Sequence, residues 1–308
     1  MAMGPKIAVL LATRNGRRWL PEQVATILDQ EGVQVRIIAL DDVSTDGTDT
    51  WLDELAAVDP RVRRLPTENA SGSSAANFFR LIDRAPVEPD ELVAFADQDD
   101  VWKPGKLARH ARLILEDGVD GVSSNVTAFS ENGSRTLVMK SHPQRRFDYL
   151  LQSPGPGSTF LISHDLFELV RRCVREHPEI AARIDYHDSY MYVVARSAER
   201  RWFIDPQPTV DYRQHDSNVI GANVGARSAF ARLDLIREHW HRQQAIAMTE
   251  LALTIASEPL RSELEELLRM FSSRSISTRL ALARGAWQFR RRPRDRFIIA
   301  ALILAGVW

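Results

Sequence analysis

The chain contains a single cysteine, Cys173, among its 308 residues, so neither an intramolecular disulfide nor a cysteine-built zinc site can form. Cys173 closes the stretch Leu166 to Cys173, whose apolar spacing is that of an amphipathic helix, and a buried structural thiol is the expectation there. Net charge is missing too. Forty basic residues face forty-one acidic ones, which gives global charge no part in nucleic-acid binding. No apolar leader with a cleavage site precedes the first strand-like segment, and a cytoplasmic protein is expected. The apolar run that ends the chain, Phe297 to Trp308, has twelve residues where a membrane span needs about twenty. Internal repeats and low-complexity tracts are absent as well. What remains, 44% hydrophobic and 26% charged residues, is ordinary for a globular protein and sufficient for one large domain or a catalytic domain with an appendage.

Continuous apolar runs place buried strands at Lys6 to Thr13, Val35 to Leu40 and Glu91 to Ala96, with a short one at Val62 to Leu65. Helices are expected from about Trp19 to Gln30, through Leu55, from Ala75 to Asp83 and from Pro178 to Ile184. Strands alternating with helices imply an α/β fold, with a parallel, doubly wound sheet over roughly the first 120 residues. A further strand is expected over Gly121 to Phe129. Gly155-Pro156-Gly157-Ser158 reads as a loop before another at Thr159 to Ser163. From about residue 228 helical spacing takes over, in Phe230 to Ser257 and Leu260 to Phe271, so a boundary is expected near 225.

Open sheets of this kind bind ligands beyond the carboxyl ends of their strands. Three strands end there in polar clusters: Thr13-Arg14-Asn15, Asp41-Asp42 and Asp97-Gln98-Asp99-Asp100. Three carboxylates in four positions repel, so the last cluster needs either a cation, with Mg2+ or Mn2+ suited to hard oxygen ligands, or wide exposure as a solvated turn. Val101 and Trp102 directly afterwards favour burial. Asp41-Asp42 can accept a hydrogen bond from a base N3–H or simply cap the next helix. In His187-Asp188 the aspartate can act as a general base and the histidine can orient the substrate, or the pair can be structural. His215 suits a phosphate or metal contact, or an ordinary loop position.

Read in order, the segments Ala12 to Gly16, Asp41 to Thr48, Asp97 to Pro104, His187-Asp188 and Tyr212 to Gly221 resemble the inverting glycosyltransferases of family 2. They are similar in particular to bacterial cell-surface polysaccharide rhamnosyltransferases, and the likeness covers nearly the whole chain. It implies the GT-A fold, a catalytic domain over 1–225, a helical region over 226–308 and a nucleotide-sugar donor, dTDP-rhamnose. It further implies that Ala12, Thr13, Arg14, Asn15, Asp41, Asp97, Gln98 and His215 surround that donor, with Asp41 at the base. Asp99 is then the principal metal ligand with Asp97 and His215, Asp188 the general base, and Gly157, Ser158 and His187 the acceptor side. Three residues depart from the family pattern: Val43 stands where glycine is usual, Arg14 where tyrosine or phenylalanine is common, and Ser189 where tryptophan is frequent.

The last quarter carries Arg274, Arg279, Arg284, Arg290, Arg291, Arg292, Arg294 and Arg296 beside the apolar run, with Trp287 and Phe289 interleaved. That pattern suits a peripheral anchor on the inner face of an anionic membrane, and with it a lipid-linked saccharide acceptor. The other reading docks the run on the catalytic domain or a second subunit, a homo-oligomer included, with the arginines solvated. Competing functions are a family 2 enzyme using a UDP- or GDP-sugar, a sugar nucleotidyltransferase, and an idle glycan-binding scaffold. Ala12 to Trp19 lacks the glycine- and lysine-rich signature of the nucleotidyltransferase.

Overall fold

A computed structural model describes residues 4–215 and 240–308. Its frame is a sheet in which β1 (Lys6–Thr13) lies between β2 (Gln34–Asp41) and β4 (Glu91–Ala96), both parallel to it, and β3 (Val62–Leu65) extends β2. Alternation along β1 feeds two cores. Ala8, Leu10 and Ala12 face one layer of helices, and Ile7, Val9 and Leu11 face the other. On the second face pack α1 (Leu20–Leu28), α2 (Thr48–Val58) and α4 (Lys106–Leu115); on the first pack α3 (Ser74–Arg84), α5 (His164–Glu176) and α7 (His187–Ser197). Ser73 and Ser163 start α3 and α5 by accepting a backbone N–H in their first turns. Cys173 is buried on α5, as its spacing implies.

Across β3, β2, β1 and β4 the sheet is parallel with helices on both faces, as expected for the first part of the chain. Beyond β4 it turns mixed: β8 (Leu161–Ile162) pairs antiparallel with β4 and with β6 (Gly121–Ser130). The long β9 (Trp202–Gln214) runs parallel to β6 and antiparallel to β5 (Val101–Trp102), and β7 (Arg135–Val138) forms a hairpin with β6. The strand expected over Thr159 to Ser163 is thus two residues long, because Gly157–Thr159 curls into a 3-10 turn first. The helix expected from Pro178 to Ile184 is a single turn, α6 (Pro178–Ala181).

C-terminal helices α8 (Trp240–Ile255), α9 (Leu260–Ser272), α10 (Ile276–Arg284) and α11 (Pro293–Ala305) contribute Leu251, Leu264, Phe271, Ile299 and Ile303 to the same core as α3, α5 and α7. The boundary near 225, and the start of the helix expected from Phe230, lie outside the described residues. Phe289 packs between Phe147 and Phe271, and Trp308 closes on Phe271. Half of α11 is uncovered, with Phe297 78% exposed. Among the described residues no helix is long and apolar enough to cross a membrane.

Candidate active site

Strand register brings the three polar clusters to one level. Thr13 pairs with Asp41 across β1 and β2, and Leu11 pairs with Ala96, so Asp97 emerges beside the end of β1. The loops beyond are tied to one another. The Gln98 side-chain oxygen accepts the Arg14 N–H at 2.7 Å and its amide donates to the Arg14 carbonyl at 2.9 Å. Gly16 lies under that amide, where a Cβ would come within 2.3 Å of the Gln98 oxygen. Asn15 accepts from the Thr45 N–H at 2.8 Å, and its own N–H donates to the Ser44 hydroxyl at 2.8 Å. Gln98 and Asn15 therefore brace the loops beyond β1, β2 and β4 against one another.

Asp41 is turned inward. Its carboxylate accepts from the Thr13 hydroxyl at 2.8 Å, the Ser44 hydroxyl at 2.6 Å and the Ser44 N–H at 2.8 Å. Asp42 is equally buried and accepts from the Ser71 N–H and from Arg14, whose guanidinium is half exposed. Arg14 thus approaches the second aspartate of the pair. Val43, where the family has glycine, sits at φ +56°, a left-handed conformation rare for a β-branched residue.

At the end of β4, Asp99 lies 2.6 Å from the His215 imidazole, which stacks on Trp19 with ring centroids 4.1 Å apart. Arg213 on β9 donates to the Asp99 carbonyl at 2.8 Å and from its backbone N–H to the Asp100 carboxyl at 3.2 Å. The distant Tyr212-to-His215 segment and the aspartate cluster are therefore one site; residues 216–221 of that segment lie outside the described residues. Burial first, and then Asp99 and Asp188, push the Asp97 carboxyl up to about 7. Asp100 is fully buried and pushed far above the usual carboxylate range by desolvation, Asp99 and Asp97, with the Ser158 hydroxyl beside it.

Asp188 opens α7 on the far side of Asp97. Its carboxylate accepts from the Ser153 hydroxyl at 2.9 Å and from the Ser189 N–H at 2.5 Å. Burial raises its pKa, opposed by those two donors and by the charge of Lys140. Next to it His187 is buried and stacked on Phe78 at 3.6 Å, and desolvation pushes it down to about 3, so it is neutral. A Cβ on Gly157 would lie 2.2 Å from the His187 Nε2. Gly157 and Ser158 are both buried, behind His187 and Asp100 respectively.

Several residues went unforeseen. Asp148, fully buried, meets Arg291 at 3.0 Å and Arg196 at 3.1 Å. Arg291 also donates to the Ser153 carbonyl, and its backbone N–H donates to the Gln152 side chain at 3.1 Å. A residue expected among solvated or lipid-facing arginines is thus sealed under the loop that holds Asp188. Local sequence carried no signal of this, because the partners lie more than 130 positions apart.

Residues 8–173 match the family model described as glycosyl transferase family 2. The chain is similar to a dTDP-rhamnosyl transferase, RfbG, of Shigella flexneri, with 31% identity over 97% of this chain and 100% of that one. It is also similar to a UDP-Glc:alpha-D-GlcNAc-diphosphoundecaprenol beta-1,3-glucosyltransferase, WfgD, of Escherichia coli, with 23% identity over 59% of this chain and 71% of that one. Among solved structures, a mannosyltransferase of Pyrobaculum calidifontis in complex with GDP-Man and Mn2+ superposes with a TM-score of 0.53 at 15% identity. That superposition covers 99% of this chain and 86% of the other.

Proposed function

The chain belongs to glycosyl transferase family 2, with a GT-A-like fold, and on that premise we propose that it moves L-rhamnose from dTDP-rhamnose, with inversion, to a lipid-linked saccharide. The observation that carries the reading is the position of Asp188. A half-buried carboxylate, held by the Ser153 hydroxyl and the Ser189 N–H, lies within electrostatic reach of Asp97 at the end of β4, where an acceptor hydroxyl and a donor can meet. Full-length similarity to RfbG supports rhamnose. The acceptor named for WfgD, a diphosphoundecaprenol-linked sugar, supports a lipid carrier. The exposed apolar side of α10 and α11, with Ile276, Phe297 and Ile298 uncovered beside the arginines, supports attachment to the inner membrane surface.

Asp188 takes the proton of the attacking hydroxyl, a role worth about a hundred- to ten-thousandfold in rate. The hydroxyl then displaces the nucleoside diphosphate from the opposite face of the sugar, so one displacement inverts the anomeric carbon. His187, being neutral, orients without adding charge. Ala12 and Thr13 end β1 at the level of Asp41, and in this reading they, Arg14, Asn15, Gln98 and His215 frame the donor, with the Asp41 turn at its base.

The donor set fits a divalent cation. Asp97 and Asp99 crowd each other's charge, and an oxygen-rich pair with His215 alongside suits Mg2+ or Mn2+. Among the described residues no three His, Cys, Asp or Glu side chains are gathered closely enough to hold an ion unaided, so oxygens of the donor phosphates would have to complete its shell. Asp99, with Asp97 and His215, would hold it. Such an ion, when bound, stabilises the charge that gathers on the leaving diphosphate.

Calorimetry with dTDP-rhamnose, UDP-glucose, UDP-N-acetylglucosamine and GDP-mannose, each with Mg2+ or Mn2+, tests the donor. Preference for the dTDP sugar is expected, and equal or better binding of another donor removes rhamnose from the reading. Asp188→Asn should bind donor normally and lose transfer; near-normal transfer by that variant overturns the assignment of the base. Absence of any donor binding by the wild type would favour a scaffold instead.

A further inference from the structure

The acidic pole of the site has a basic counterpart on the other side of Asp188. Lys140 follows β7 in a turn held by Asn125, whose side-chain oxygen accepts the N–H groups of Lys140 and Ser141 at 2.6 and 3.0 Å. The His142 N–H closes that turn on the Lys140 carbonyl at 2.8 Å. Facing it, Arg290 and Arg292 flank the sealed Arg291. Arg296 fixes their backbone by donating to the carbonyls of Arg290 and Arg291 at 2.9 and 2.6 Å. The two braced segments, distant in sequence, are tied together where the Phe147 N–H donates to the Gln288 carbonyl at 3.1 Å, and both carry cations.

Among the described residues those cations have no ion-pair partner: no carboxylate lies within ion-pair distance of Lys140, Arg290 or Arg292, and the buried His142 Nε2 has no hydrogen-bond partner. Asp295 acts on Arg290 and His142 from a greater distance. Burial, and after it the three arginines, hold the Lys140 amine below its ordinary range, while Asp188 is the carboxylate acting on it. Like charges gathered in a half-buried place are stabilised by an anion that bridges them. Asp188 acts on Lys140 without forming an ion pair with any of these cations, its carboxylate being held by Ser153 and the Ser189 N–H.

We propose that Lys140, Arg290, Arg292 and His142 form a binding site for a phosphate or diphosphate carried by the acceptor. Arg291, which Arg290 and Arg292 flank, donates to the Ser153 carbonyl, and the Ser153 hydroxyl reaches Asp188, so the anion falls on the side of the site where the proposed base lies. The acceptor is then a saccharide on a phosphate-bearing carrier. Arginine forks and a lysine point charge suit phosphate oxygens, and a neutral sugar would need neither. The assignment rests on the glycosyltransferase reading of Asp188.

Inorganic pyrophosphate, titrated calorimetrically in EDTA so that the cation-dependent donor side is silent, is the probe. Wild-type protein should bind it, Lys140→Gln/Arg290→Gln should bind at least tenfold more weakly, and Lys140→Arg should retain binding. Binding of dTDP with Mn2+, measured in parallel, should be the same in all three. Equal pyrophosphate affinity in the double variant, with dTDP binding intact, overturns the site alone; loss of dTDP binding by the wild type overturns the donor reading beneath it. Vesicles of phosphatidylglycerol and of phosphatidylcholine separate the two sources of phosphate. Unchanged retention of the double variant on phosphatidylglycerol assigns the site to the acceptor. Loss of vesicle retention with pyrophosphate affinity unchanged transfers these cations to the bilayer surface and overturns the proposal.

Discussion

The Ser153 hydroxyl shares its proton between the Gly155 carbonyl at 2.6 Å and the Asp188 carboxylate at 2.9 Å, and the carbonyl of the same serine accepts from Arg291, so one residue links the proposed base to the C-terminal region. The arrangement gives α11 and its preceding arginines a reason to share a core with α7. The segment that brings the enzyme to its membrane-borne acceptor, in the proposed function, also fixes the group that deprotonates it.

Removing that hydroxyl should change the pH profile before it changes binding. Asp188 acts as the carboxylate, so kcat/KM falls as pH drops through its pKa. Burial has raised that pKa and Ser153 holds it down by favouring the charged form. Ser153→Ala therefore moves the acid limb to higher pH. The loss at neutral pH is up to about tenfold, equivalent to about 1.4 kcal/mol, and it recovers on the alkaline plateau. A uniform loss at every pH would count against the link.

Arg291→Met leaves Asp148 buried with Arg196 as its remaining cation. Breaking one side of a sealed ion pair costs about 3–5 kcal/mol. Urea denaturation should register that loss, and transfer should fall with it as the Gln152–Ser153 loop loosens. Arg292→Met, at an exposed neighbour, should leave stability unchanged within about 0.5 kcal/mol.

Val43 offers the opposite sign. A β-branched residue at φ +56° costs about 1–3 kcal/mol, and Val43 is 45% exposed, so only part of its packing is at stake. Val43→Gly should raise stability by about 1 kcal/mol after the entropy of glycine is counted, and thermal unfolding measures it.

Val43 also marks how far the sequence could be read. Strands β1 and β4 match their expected bounds residue for residue, because continuous apolar runs ending in polar clusters have one solution in a parallel sheet. The convergence of Asp41, Asp97 and Asp99 followed from those ends. What periodicity could not supply was direction: that Asp41 turns toward Thr13 and Ser44, or that Gly157 and Ser158 stand behind the site. Arg291 was illegible for a different reason. A charge run looks alike whether solvated or sealed until its partner, here Asp148, arrives from another part of the chain.

Gly157 and His187 give the most geometric prediction. The imidazole lies flat on Phe78, interplanar angle 20°, and its Nε2 points at the glycine with no partner of its own. A methyl group at Gly157 would need the ring to move off Phe78 or the 3-10 turn to open, at about 1–3 kcal/mol. Because His187 begins the helix whose next residue is Asp188, the first response carries the base with it. Gly157→Ala should thus lower both stability and kcat, with donor affinity unchanged. His187→Ala alone should cost stability through the lost stacking and leave a void. Combining the two lets the new methyl occupy that space, so the double variant should be more stable than the sum of the single losses requires. A double-mutant cycle by urea denaturation measures that coupling. Strict additivity would mean that the turn, rather than the ring, accommodates the methyl, and that Gly157 does not position the base.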